Sequence, residues 1–172
     1  MKENMIVAEA LESLTWAFEL RARWVIEAVF EAEVGMDVSF HFSNAPLSEN
    51  LLYCFVNNTN EEYLSQIGLG IAERDLAAFF PRHDDPGLRL DYFGELVNVL
   101  SGNLLGDEEF MEHFGHLKPS ATFFSDGAFT DREIPSIQGT LLSGGRPFKF
   151  HLTVEGAKDG GRPHNYISEG SK

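Results

Sequence analysis

Asp91-Tyr-Phe-Gly-Glu95-Leu-Val-Asn98-Val-Leu-Ser-Gly102 is the stretch around which the rest of this chain falls into order. As a helix it separates into two faces. Phe93, Leu96, Val97, Leu100 and Leu104 fall at i, i+3, i+4, i+7 and i+11, one apolar stripe. Asp91, Glu95, Asn98 and Gly102 fall at i, i+4, i+7 and i+11, a second stripe. At 3.6 residues per turn the two stripes lie roughly 180° apart. The helix buries one side and presents two acids, an amide and a glycine in a row on the other. Asn and Gly are poor helix-interior residues, Gly by roughly 1 kcal/mol relative to Ala. Solubility alone would be served better by Lys, Gln or Ala.

Outward from this helix, expected over about Leu88–Leu105, the pattern alternates between helical and strand periods. Upstream, a long first helix is expected from about Val7 to Glu33, with the stripe Leu11, Leu14, Phe18, Ala22, Val25, Val29 and Ala32, and with Gly35 placed to stop it. Val38, Phe40 and Phe42 then alternate with Ser39 and His41, the period of a half-buried strand. Leu51–Val56 is a short apolar run that reads as a buried strand, and Asn57-Asn-Thr-Asn60 as a turn. Tyr63–Gly70 reads as a further strand, followed by a short helix from about Ala72 to Phe80. Downstream, Asp107 to Gly115 continues as a shorter helical turn and Ala121–Phe124 as a strand. Ile137–Leu142 and Pro147–Val154 flank Ser143-Gly-Gly-Arg146, a hairpin signal. The fold class expected is α+β, with two long helices packed on one face of a largely antiparallel β-sheet. Residues 1–156 are expected as a single domain and 157–172 as a polar C-terminal tail.

Composition narrows the partners. Thirteen basic against 27 acidic residues give a net charge of −14. That field repels phosphate backbones and anionic lipid, so neither nucleic acid nor membrane is expected as a partner. The lone cysteine, Cys54, sits inside an apolar run and suits a reducing compartment. The start of the chain, with Lys2, Glu3, Glu9 and Glu12, does not read as a signal peptide, and a cytoplasmic location is expected.

The run Glu95-Leu-Val-Asn98 with Asp91 before it, Gly102-Asn103 after it and Pro119 some twenty residues on resembles the CheC/CheX/FliY family of chemotaxis phosphatases. Asp91, Glu95 and Asn98 match the family's signature position for position, and Pro119 matches at a slightly shorter gap. The specific match covers about Gly87 to Phe123. One such signature, where the CheC type has two, resembles the CheX type. The resemblance implies removal of phosphate from the aspartyl-phosphate of a phosphorylated CheY-like response regulator. It implies that Asn98 positions the attacking water and that Glu95 pairs with the regulator's active-site lysine, as the two catalytic residues. Asp91, Gly102 and Pro119 would be partner-binding. No cofactor is implied for this chain itself, and Mg2+ is expected in the partner receiver domain. The alternative is a non-catalytic CheX-like module that docks on receivers or self-associates.

Other features read as ordinary structure. His113 and His116 are three apart but lack a third ligand nearby, so they are taken as loop histidines and no metal site is expected. Asp84-Asp85 lies between Pro81 and Pro86 as a polar loop, and Gly144-Gly145 opens no helix and is a hairpin. A homodimer is expected from the resemblance. Two features offer material for it: Pro147–Val154, taken as a sheet-edge strand, and Trp16 and Trp24, which lie outside the main stripe of the first helix.

Overall fold

The structure, a computed structural model, describes residues 2–30, 34–43, 51–82, 84–125 and 134–157. Four α-helices are present among them: α1 (Lys2–Phe30), α2 (Leu76–Phe79, preceded by a single 3-10 turn), α3 (Pro86–Leu105) and α4 (Glu108–Phe114). Six strands, β1 (Val34–Ser43), β2 (Leu52–Thr59), β3 (Tyr63–Ile71), β4 (Lys118–Ser125), β5 (Ile134–Ser143) and β6 (Arg146–Gly156), form one sheet. Its order is β1-β5-β6-β3-β2-β4, and every neighbouring pair is antiparallel. The expected α+β class, with two long helices on an antiparallel sheet, is what the chain adopts. No described helix is long and apolar enough to cross a membrane.

Local chemistry accounts for the signature helix. The Asp85 carboxylate accepts the Gly87 N–H at 2.7 Å, and Pro86 stands in the first turn, where a backbone N–H has no helical partner to lose. Asp107 caps α4 in the same way, accepting from the Glu109 and Phe110 N–H groups. Its other oxygen takes the Arg21 Nε–H at 2.7 Å, which ties α1 to the α3–α4 corner. Gly115 ends α4 at φ 70°, in the left-handed region that favours glycine.

Both long helices bury apolar stripes on the same face of the sheet, although Val29, expected in the α1 stripe, is exposed and Ala32 lies outside the described residues. Leu11, Leu14, Phe18, Ala22 and Val25 of α1 and Phe93, Leu96, Val97, Leu100 and Leu104 of α3 are buried together with Cys54, Val56, Ile67, Leu69, Phe150 and Leu152. Each such large side chain contributes roughly 1.5–3 kcal/mol relative to exposure. The long helix α1 lies over β1, β5 and β6, and α3 over β2, β3 and β4. On the opposite face Tyr53 and Phe55 stack with ring centroids 5.4 Å apart. They lie over Gly70 and Gly68 of β3, where any Cβ would collide with a ring. His151 is buried against the edge of Phe55.

Three expectations need correction. The first helix begins at Lys2 and its described part ends at Phe30, so Gly35 does not stop it; Gly35 lies within β1, opposite Leu142. The two-residue period of β1 extends back through Met36 and Val34, and this continuation overrides the breaker signal of a lone glycine. Asn57, Asn58 and Thr59 belong to β2, and the turn is made by Asn60, whose Oδ1 accepts the Glu62 and Tyr63 N–H groups. Their turn-like composition is overridden because their polar atoms are satisfied across the sheet and from α3: Gln66 donates to Asn57, and Asn58 donates to Ser101. Finally, the C-terminal strand β6 is not an edge; it is paired on both sides, to β5 and β3, and the edges are β1 and β4. The hairpin at Gly144-Gly145 stands, with both residues at positive φ, 56° and 76°. The tail assigned to 157–172 lies outside the described residues beyond Ala157.

Candidate functional site

Helical spacing places Asp91, Glu95, Asn98 and Gly102 along one face of α3, and all four are exposed. The apolar stripe opposite them is fully committed to the core. The four residues therefore form a row that the fold holds rigidly and leaves open. Gly102 is the extreme case, since a Cβ there would meet nothing within 4 Å. Leu88, Tyr92 and Val99 flank the row with exposed apolar surface on the side away from β4.

The row has a second wall that sequence patterning did not reveal. Edge strand β4 runs alongside α3, and two of its side chains reach the helix. Thr122 Oγ1 donates to Asn98 Oδ1 at 2.9 Å. Phe124 packs toward Phe93, with centroids 6.2 Å apart, and lies against the surface of Gly94, where an added Cβ would come 3.5 Å from its ring. That distance is ordinary van der Waals contact, so strand and helix lie side by side here with room for a methyl group. The pairing Cys54↔Phe124 and Val56↔Thr122 puts both residues on the helix side of the sheet.

Pro119 reaches this seam only because the strand is irregular. Simple alternation would put Pro119 and Thr122 on opposite faces. The register shifts between Asn57 and Asn58, so that Asn57 pairs with Ala121 and Asn58 with Pro119, leaving Ser120 as the extra residue. Its hydroxyl donates to the Asn57 carbonyl. Pro119 thereby returns to the helix side, level with Asn58, whose Nδ2 donates to Ser101 Oγ next to Gly102. The five residues singled out from the sequence thus border one seam: four along α3 and Pro119 at the start of β4. Thr122, Phe124 and Gly94 are the additions.

The other described polar groups do not assemble into a metal centre. Among the described residues no cluster of three or more His, Cys, Asp or Glu side chains is placed to hold a metal. His113 is in the last turn of α4 rather than in a loop, and His116 follows the helix; both are exposed. Burial pushes the Cys54 thiol up to about 12, which keeps it protonated and unreactive. Asp84 is exposed, and Asp85 serves as the α3 cap.

Comparison with known proteins bears on the fold. No sequence-family model matches the chain, and no curated protein matches it. Solved structures do. The chemotaxis protein CheX from Desulfovibrio desulfuricans is similar at TM-score 0.64 and 14% identity, over 83% of this chain and 99% of that one. CheX from Vibrio vulnificus is similar at TM-score 0.63 and 10% identity, over 80% and 96%. A CheX–CheY–BeF3–Mg2+ complex from Borrelia burgdorferi is similar at TM-score 0.54 and 12% identity, over 80% and 95%. The chain has the CheX-like fold of the chemotaxis proteins.

Proposed function

We propose that this protein is a phosphatase that removes phosphate from the aspartyl-phosphate of a CheY-like receiver domain, in chemotaxis or related two-component signalling. The observation that carries the proposal is Asn98, an exposed carboxamide one helical turn from an exposed carboxylate, Glu95, on a face kept clear by Gly102. An acyl phosphate is intrinsically reactive, so a catalyst has mainly to place water in line with phosphorus. Water oxygen forms the new bond to phosphorus as the bond from phosphorus to the aspartyl oxygen breaks. The products are a free carboxylate and inorganic phosphate, with the water's protons passing to phosphate and solvent. A carboxamide holds such a water through both donor and acceptor atoms and does not titrate near neutral pH. Glu95 would meet a cationic side chain of the receiver. Mg2+, held by the receiver, would neutralise phosphoryl charge, and on this proposal this chain holds none. Complex formation with CheY by a CheX of the same fold supports the partner class.

The test is the decay of a phosphorylated receiver with and without this protein. Faster decay is expected, and Asn98→Ala should slow turnover by roughly 10²-fold, the scale of one lost positioning or stabilising group. Binding to the receiver carrying beryllium fluoride should survive that change. Binding without faster decay would leave a docking module in place of an enzyme.

The proposal includes self-association, through α1 instead of β6. Trp16, Leu20 and Trp24 are exposed at i, i+4 and i+8 on the side of α1 away from the core, the tryptophans at 71% and 64%. This stripe is symmetric about Leu20, so two antiparallel copies set each Trp16 against the other's Trp24, a self-complementary contact. The α3–β4 seam lies on the far side of α3 and stays open.

A further inference from the structure

On the proposed phosphatase function, we infer that Thr122 is the positioning residue that aims the Asn98 carboxamide. Asn98 is exposed on a helix surface, where an Asn side chain would otherwise sample several rotamers. Among the described residues it receives one hydrogen bond, from Thr122 Oγ1 at 2.9 Å. Thr is β-branched and stiff at χ1, and here it stands on a strand paired in register to β2, so the donor is itself fixed. Phe124, two residues on, presses the same strand against Gly94 and Phe93 of α3 and sets the gap across which the bond forms.

The consequence for the carboxamide is specific. One lone pair of Oδ1 is taken by the threonine hydroxyl. The second lone pair and the two Nδ2 hydrogens remain, and they project from the exposed face of α3 toward an incoming partner. A carboxamide held this way meets the phosphoryl group already oriented, so ordering it does not have to be achieved during each encounter. Thr122 does this without touching the reacting atoms. The bulge at Ser120 lets Pro119 and Thr122 flank the same seam.

The experiment has two readouts, chosen so that this inference and the phosphatase proposal fail separately. The first is made on the free protein and needs no activity. The Asn98 side-chain amide signals in a 15N–1H spectrum should report an ordered group in wild type and Thr122→Ser, and a mobile one in Thr122→Val. Equal mobility in all three overturns the inference whatever the protein catalyses. The second readout is kinetic, using a phosphorylated receiver. Thr122→Val should lower kcat about tenfold, the scale of one ordinary hydrogen bond, with KM and affinity for the beryllium fluoride-loaded receiver unchanged. Thr122→Ser should restore the rate, and Thr122→Val should have no further effect in an Asn98→Ala background. Wild-type kcat in Thr122→Val, or an equal loss in both backgrounds, overturns it. Wild-type protein that fails to hasten decay removes the phosphatase proposal and with it the kinetic role, while the spectra still decide whether Thr122 orders Asn98.

Discussion

Gly102 stands mid-helix on exposed surface with nothing within 4 Å of where a side chain would begin. No contact within the described molecule requires a glycine there, and helix propensity argues against one. Gly102→Ala should raise stability by roughly 0.5–1 kcal/mol in denaturant unfolding. If the missing Cβ makes room for a partner's backbone, the same substitution should weaken receiver binding. A variant that is more stable and binds equally well would mean the glycine has no docking role. Asn98 and Glu95 are similar in kind, residues whose cost or exposure the fold itself does not repay. Such residues are legible in a sequence because they break a local preference. Thr122 breaks none. It is an ordinary strand residue, and its partnership with Asn98 depends on which strand neighbours α3, which local pattern does not encode.

At the scale of elements, periodicity found the helices and strands and misjudged their neighbours. The two-faced helix and the Gly144-Gly145 hairpin were readable because their signals are local: a stripe, a cap, a pair of glycines. The ends were less so. Asn57–Thr59 look like a turn until Gln66 and Ser101 are seen to satisfy them from across the sheet and from α3. Strand β6, with its apolar face, is expected from the sequence at a sheet edge, yet an apolar face says only that the two sides of a strand differ. It does not say how many neighbours a strand has. The exposed tryptophans of α1 are what the proposed self-association then rests on. Light scattering at micromolar concentration should give twice the monomer mass, and Trp24→Glu should return it to one while leaving unfolding of the monomer little changed. A monomeric wild type, or a dimer indifferent to that substitution, would rule out pairing through α1.

For the whole molecule, acid is the informative stress. His151 is buried on the far face of the sheet, beside Phe55, opposite Gln138 and Gly68, with Lys149 and Thr153 as its same-face neighbours along β6. Its Nδ1 has no hydrogen-bond partner among the described residues. Burial pushes it down from the ordinary 6.5 to about 4. The unfolded chain therefore takes up a proton between those values that the folded chain refuses. Stability from this group is complete above about pH 6.5 and is lost progressively as pH falls toward 4. The loss should reach about 2 kcal/mol at pH 5 relative to pH 7. Urea unfolding at both pH values checks it: His151→Leu should lack this share of the acid sensitivity. An unchanged difference between pH 7 and pH 5 in the variant would assign the sensitivity elsewhere.

The strand order has a consequence in time. Pairing β1 with β5 brings Ser43 to Ile134, and pairing β3 with β6 brings Tyr63 to Gly156, so each must close a long loop before any contact rewards it. The seam that carries Asn98 is different. β2, β3, α2, α3, α4 and β4 follow one another between residues 52 and 125; β2 and β3 pair as a hairpin, and Thr122 reaches back only 24 residues to Asn98. The working surface is thus written in one continuous passage of the chain. The segments that complete the sheet and bear the exposed tryptophans arrive from the two ends.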